Sequence, residues 1–434
     1  MKHNQYIVRT LSLIIITGSM FACTSLNRAK ETVDQVAART SIDYEIDETE
    51  KQIINATNAF SFRLFKEIAN NNEGKNLLFS PMGVVYTLEM LSNGANGKTQ
   101  EALQQAMGTK EFQIDDINDL RRKMMIFHAK DRTDENSPTE STYMKSSSLF
   151  LSRSNKIINE DFVHTIEHDY FADCKTFKTA EDAKRTIDSW SKESSRGTIN
   201  NIPSDINGNT DVMLINTLLF NGAWWNEFYP DATEKDTFTI AKNRIKLVEM
   251  MYQTDDSGNF KYTQNKYFSL LKMPYADAFH IEILLPNENL TLNELIKKLT
   301  IRQYEESVKK LKRYNYVHVS LPKFRSECNL DFEQPLSNMG LSNIFSMEAD
   351  FSLISEEPIR IDGMKQVTET TIDEKGTYIE AASSCSFVTL GRTNNPTEAY
   401  FTANRPFIYF IRDYWGSICF AGIYCGEEIA DLKS

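Results

Sequence analysis

His164, Glu167 and His168 form the arrangement in this chain with the plainest capacity for chemistry. They sit in His164-Thr165-Ile166-Glu167-His168, the HxxEH pattern of inverted zinc proteases. Two His at i and i+4 on one helix face can share a metal, with the Glu as base. The segment Glu160 to Tyr170 also reads as the polar face of an exposed helix. Such a short pattern arises by chance, and no second acidic helix offers a third ligand. The exposed-face reading is therefore adopted, and no metal is expected. GxSxG, GxxxxGK[ST] and GxGxxG do not occur. The six Cys form no CxxC pair, and Cys419 and Cys425 share one apolar run. Residues on one face of a strand cannot bridge each other, so these read as small core residues. A second chemical feature is a scarcity of charge. Charged residues make up 25% of the chain, yet Gly376 to Arg392 carries only Glu380 and the terminal Arg392.

The elements that must hold these segments follow from periodicity. Ala59, Phe62, Phe65, Ile68 and Ala69 recur at helical spacing. Ser80-Pro81 opens a second helix, with Ser as cap and Pro in the first turn. Thr99 to Met107 predicts a third, closed by Gly108, and Leu292 to Leu299 another. Strand-like runs span Ser148–Ser152, Val212–Phe220, Tyr267–Met273, His280–Leu285, Tyr316–Leu321, Arg360–Ile372, Phe407–Arg412 and Ile418–Tyr424. Helices dominate early and strands late, without regular βαβ alternation. That order predicts an α+β fold.

The chain has 434 residues, with 48 Lys plus Arg against 60 Asp plus Glu, a net charge of -12. An acidic chain is a poor electrostatic partner for nucleic acid, and none is expected. The N-terminus carries Lys2 and Arg9, then an apolar run from Leu11 to Gly18, a secretory pattern too short to span a bilayer. Ala22-Cys23 resembles a bacterial lipoprotein site, with Cys23 lipidated and residues 1–22 removed. Residues 23–50 are polar and read as a flexible tether, leaving 51–434 as a single domain. The expected location is export, lipid-anchored in the bacterial cell envelope (outer membrane or surface) or secreted. Loss of Lys2 and Arg9 takes the net charge to -14.

The C-terminal third carries Phe401-Thr402-Ala403-Asn404-Arg405-Pro406-Phe407-Ile408-Tyr409-Phe410-Ile411, preceded by Thr371-Ile372-Asp373-Glu374-Lys375-Gly376-Thr377. Colinear with these lie Asn76-Leu77-Leu78-Phe79-Ser80-Pro81, Leu214 to Trp224, Val319 to Phe324 and Leu341 to Phe345. Together they resemble the serpin family over roughly residues 55 to 428. The resemblance implies three β-sheets, about nine helices and an exposed reactive-centre loop. It implies a monomer that is not an enzyme and needs no cofactor. It is expected to inhibit trypsin-like or elastase-like serine proteases, with cysteine proteases as a second class. The protease cleaves the loop, and the freed loop inserts into the central sheet before the acyl-enzyme hydrolyses. A non-inhibitory serpin serving as a surface binding module is the alternative.

The resemblance places a hinge at Glu374, Lys375, Gly376, Thr377, Glu380, Ala381 and Ala382, with Gly376 as its pivot. It places shutter and breach residues at Ser80, Asn216, Trp224 and Gln366. Gln366 stands where His is common, and Gly83 where a second Ser is common. A loop that becomes a central strand must alternate. Counting from Thr377, one face is Thr377, Ile379, Ala381, Ser383 and Cys385, all uncharged; Glu380 falls on the other. Tyr378-Ile379 departs from the family's small hinge residues, yet as an even insertion it keeps the parity. The scissile bond is expected at Arg392-Thr393, the site of the only cation between Lys375 and Arg405, or at Leu390-Gly391 by counting from Gly376; counting back from Pro406 falls near Asn395.

Overall fold

Local chemistry sets where the helices begin. Asp47 and Glu50 form a reciprocal capping box, and so do Thr291 with Glu294 and Thr300 with Gln303. The Ser80 hydroxyl accepts from the Gly83 N–H at 3.1 Å, with Pro81 next in line. Gly108, at φ +76°, closes its helix in the left-handed region. The computed structural model describes residues 30–427 except 42–43, 73, 131–141, 198, 200–201, 203–205, 208 and 379–396. Among them are ten α-helices: α1 (Val33–Arg39), α2 (Glu48–Asn70), α3 (Pro81–Gly94), α4 (Gly97–Met107), α5 (Ile114–Ala129), α6 (Glu160–Asp169), α7 (Ala180–Ser194), α8 (Leu292–Lys298), α9 (Ile301–Val308) and the single turn α10 (Glu333–Leu336). No helix among the described residues is long and apolar enough to cross a membrane.

The strands form three sheets. The strands are β1 (Leu77–Phe79), β2 (Tyr143–Arg153), β3 (Asp173–Phe177), β4 (Val212–Ala223), β5 (Glu234–Ala241), β6 (Arg244–Asp255), β7 (Lys261–Gln264), β8 (Phe268–Pro274), β9 (Phe279–Pro286), β10 (Lys312–Arg313), β11 (Tyr316–Pro322), β12 (Phe324–Asp331), β13 (Ile361–Ile372), β14 (Gly376–Tyr378), β15 (Glu398–Thr402), β16 (Phe407–Asp413) and β17 (Ile418–Tyr424). The six-stranded sheet runs β12-β13-β14-β4-β2-β3. The seven-stranded sheet runs β1-β17-β16-β9-β8-β7-β10, and the four-stranded sheet β15-β11-β6-β5.

β16 and β17 are buried at every position, as befits strands covered on both faces. Phe410 of β16 meets Phe62 and Phe65 of α2, ring centroids 6.1 and 5.2 Å away. A second, smaller core lies on the other face of the six-stranded sheet. There Ala183, Ile187 and Trp190 of α7 cover Leu149, Leu151, Ile215 and Val367.

One boundary differs from expectation. Residues 23–50 are not all tether: α1 lies against α5, with Val33, Val36 and Ala37 buried. The Asp34 carboxylate accepts from Lys145 of β2 at 2.7 Å, and Lys130 donates to the Thr40 carbonyl. The folded body therefore begins at Thr32, not residue 51. The cause is the i, i+3, i+4 spacing of the three apolar residues, behind a Thr32–Gln35 capping box.

Candidate functional site

The site is the place where the six-stranded sheet parts. β13 and β4 run parallel and pair directly from Met364↔Leu214 to Val367↔Thr217. Higher up, β14 stands between them, antiparallel to both. Thr377 faces Ile372 on one side and Gly222 on the other, and Tyr378 faces Thr371. Gly376 and Thr377 of the predicted hinge are thus already strand, while Glu374 and Lys375 lie in the turn before it.

The turn that delivers β14 is fixed at every carbonyl. Asp373 Oδ1 accepts from the Lys375 N–H at 2.8 Å, and the Asp373 N–H donates to the Gly376 carbonyl at 3.0 Å. Trp224 donates twice: its backbone N–H to the Lys375 carbonyl (2.8 Å) and its indole Nε1 to the Asp373 carbonyl (2.9 Å). The Phe228 N–H takes the Glu374 carbonyl at 2.8 Å. The buried Trp224 ring stacks on Tyr275 at 4.6 Å, and Tyr275 Oη lies 2.7 Å from Thr377 Oγ1.

Glu374 is held by Lys323 at 2.9 Å and by the Thr233 hydroxyl at 2.8 Å. Burial works against its charged form, but these partners outweigh it and the carboxyl sits below its ordinary range. Asp373 goes the other way. Burial raises it, and the N–H bonds from Lys375 and Gly376 only partly offset that.

Gly376 is not a free pivot. A Cβ there would lie 2.2 Å from the Gly222 carbonyl oxygen, so glycine is required by close approach of two backbones inside the sheet.

Below the parting point, Ser80, Asn216 and Gln366 come together. The Ser80 N–H donates to Gln366 Oε1 at 2.6 Å, and Gln366 Nε2 donates to Asn216 Oδ1 and the Ser80 carbonyl, both at 3.2 Å. Asn216 Nδ2 reaches the hydroxyls of Ser146 and Ser148 at 3.1 Å. This ties α3, β13, β4 and β2 at one buried point. Gly83 makes room for it: a Cβ there would sit 2.4 Å from Asn216 Oδ1 and 2.8 Å from Gln366 Nε2.

The predicted Cys23, Glu380, Ala381, Ala382, Leu390, Gly391, Arg392 and Thr393 lie outside the described residues. β15 takes the chain up again, parallel to β11 in the four-stranded sheet. His164 and His168 lie on the exposed face of α6 and are not part of this site. Sequence reasoning missed Tyr275 and Thr233 as hinge contacts; each lies in an ordinary strand or turn sequence with no motif of its own.

Comparisons with known proteins agree with this geometry. A family model described as Serpin (serine protease inhibitor) matches residues 55–426. The chain is 30% identical to the leukocyte elastase inhibitor of Xenopus tropicalis over 390 residues, 86% of this chain and 99% of that protein. It is 29% identical to an uncharacterized serpin-like protein of Thermococcus kodakarensis, covering 88% of each. Among solved structures, it resembles the native state of the thermophilic serpin tengpin, with a TM-score of 0.75 and 26% identity over 90% of this chain and 99% of that one.

Proposed function

The chain belongs to the serpin family, and from that premise we propose that it is a suicide-substrate inhibitor of serine endopeptidases. Family members are inhibitors rather than enzymes, and serine proteases are the expected targets. The observation that carries the inhibitory reading is β14. The start of the loop stands between β13 and β4 with Thr377 buried and its pairing partners made on both sides. The sequence that follows keeps an uncharged, small or apolar set on the same parity. A cleaved loop with this pattern can continue the strand that β14 begins.

Arg392-Thr393 suits a trypsin-like protease and Leu390-Gly391 one with an apolar S1 pocket. The name of the amphibian relative favours testing an elastase alongside trypsin. Cysteine proteases are the second target class. The test is incubation with trypsin and with elastase. An SDS-stable complex and a large rise in thermal stability after loop cleavage are expected. Cleavage with neither effect would leave the non-inhibitory binding module as the function.

We further propose export and lipidation at Cys23, as a monomer held at the cell envelope, on the strength of the leader pattern. Intact mass of the membrane-extracted protein should show acyl chains on Cys23 and no residues 1–22. An unmodified Met1 form in the membrane fraction would refute it.

A further inference from the structure

We propose that His164 and His168 on α6 bind one divalent transition-metal ion of the zinc class, as a surface site without catalysis. The two rings are exposed and nearly parallel, 7° apart, with centroids 5.8 Å from each other. An ion about 2.1 Å from each Nε2 allows ring centroids to be at most about 6.5 Å apart. The centroid spacing is inside that limit, and the stacked rings need only turn about their side-chain torsions to bring both Nε2 atoms to one ion, without unwinding the helix.

The second observation concerns the proton on His168. Its Nδ1 lies 2.6 Å from the Asp169 carboxylate. An ionised carboxylate only accepts, so in the neutral ring Nδ1 carries the hydrogen and Nε2 is the nitrogen left to face a metal. A carboxylate behind the ring is the usual partner of a metal-binding His, fixing its tautomer and raising its basicity. The surroundings favour a cation. α6 carries Glu160, Asp161, Glu167 and Asp169 and no Lys or Arg. The nearby cation, Arg122, is turned to the His168 carbonyl and the Phe171 ring. Imidazole ligands select Zn, Cu or Ni over Mg or Ca. Water fills the remaining positions.

A rival site exists. His128, Asp413 and Cys419 lie within 4.8 Å of one another, fully buried. There, however, Asp413 is already engaged by His128 Nε2 (3.0 Å) and the Ser417 N–H (2.7 Å), and burial pushes the Cys419 thiol well up, toward its protonated form.

The experiment is zinc titration calorimetry on the untagged full chain, with ZnCl2 as the probe. One zinc per chain is expected, bound roughly tenfold or more weaker in His164→Ala and in His168→Ala. Asp169→Asn should weaken it by roughly tenfold through the tautomer alone. Unchanged melting temperatures without zinc would show that the variants fold. Cys419→Ala should bind as the parent does. No zinc uptake, uptake indifferent to His164→Ala, or uptake lost only in Cys419→Ala overturns the proposal. An unchanged Asp169→Asn overturns the role given to the carboxylate. None of this depends on protease inhibition, and complex formation with trypsin should be the same with or without zinc.

Discussion

Gly83 and Gln366 act as a matched pair. Asn216, Leu218 and Gln366 together fill the space that a side chain at position 83 would occupy, and Gln366 satisfies both Ser80 and Asn216. Gly83→Ser alone should therefore force the buried network apart and cost about 1–3 kcal/mol. Gly83→Ser with Gln366→His should recover part of that loss, because residues sharing one network couple, while Asn216 and Leu218 still crowd the new side chain. Urea unfolding of the two single variants and the double decides it; strict additivity would refute the pairing. Thr377 carries a second prediction. Because it is already buried against Tyr275, Thr377→Arg should lower the melting temperature of the uncleaved protein, at a cost of about 3–5 kcal/mol. An unaltered melting temperature would contradict its burial.

At the scale of elements, α1 is the finding that composition hid. Two buried Val at about 1.5 kcal/mol each give α1 a contribution of about 3 kcal/mol. A chain starting at Ser41 should show a correspondingly lower urea midpoint than the full chain; equal midpoints would mean α1 is only perched on α5. The early α2 to α4 and the late strands were readable because their periodicity is long or their caps are explicit. α5 and α7 passed unnoticed, although α7 covers the second core with Ala183, Ile187 and Trp190. The motif residues Ser80, Asn216, Trp224 and Gln366 were legible as a group. Their partners were not, because Tyr275 stands 102 residues from Thr377 and Lys323 stands 51 from Glu374. Contacts of that range leave no local spacing to read, so sequence alone suggests a pivot at Gly376 where the real constraint is the Gly222 carbonyl.

At the scale of the whole molecule, acid sensitivity should centre on Glu282 in the seven-stranded sheet. Burial alone would raise this carboxyl, but Arg412 at 3.7 Å and His280 at 3.1 Å win, and it falls to about 2. A depressed carboxyl contributes stability above its ordinary value of 4.5, and that contribution is lost as pH falls toward about 2. The loss is on the order of 3 kcal/mol, and Glu282→Gln should flatten the melting temperature over this window. An unchanged acid profile would remove Glu282 from the account. The last consequence belongs to the rungs of β14. Thr371↔Tyr378 and Ile372↔Thr377 fix the alignment of any strand that grows from them. The chain entropy of bringing a loose end to the sheet is gone before cleavage, so under the proposed function growth starts from a nucleus and proceeds by propagation. Counting along that alignment brings Glu380 directly opposite Glu369, which already faces Glu327 of β12 and whose counter-ion is Arg325. Two carboxylates on one rung repel. Under the proposed function a third carboxylate added to that rung would slow insertion, and Glu380→Gln should release the brake. Fewer inhibitor molecules would then be consumed per protease trapped; an unchanged stoichiometry of inhibition would mean the growing strand takes another alignment.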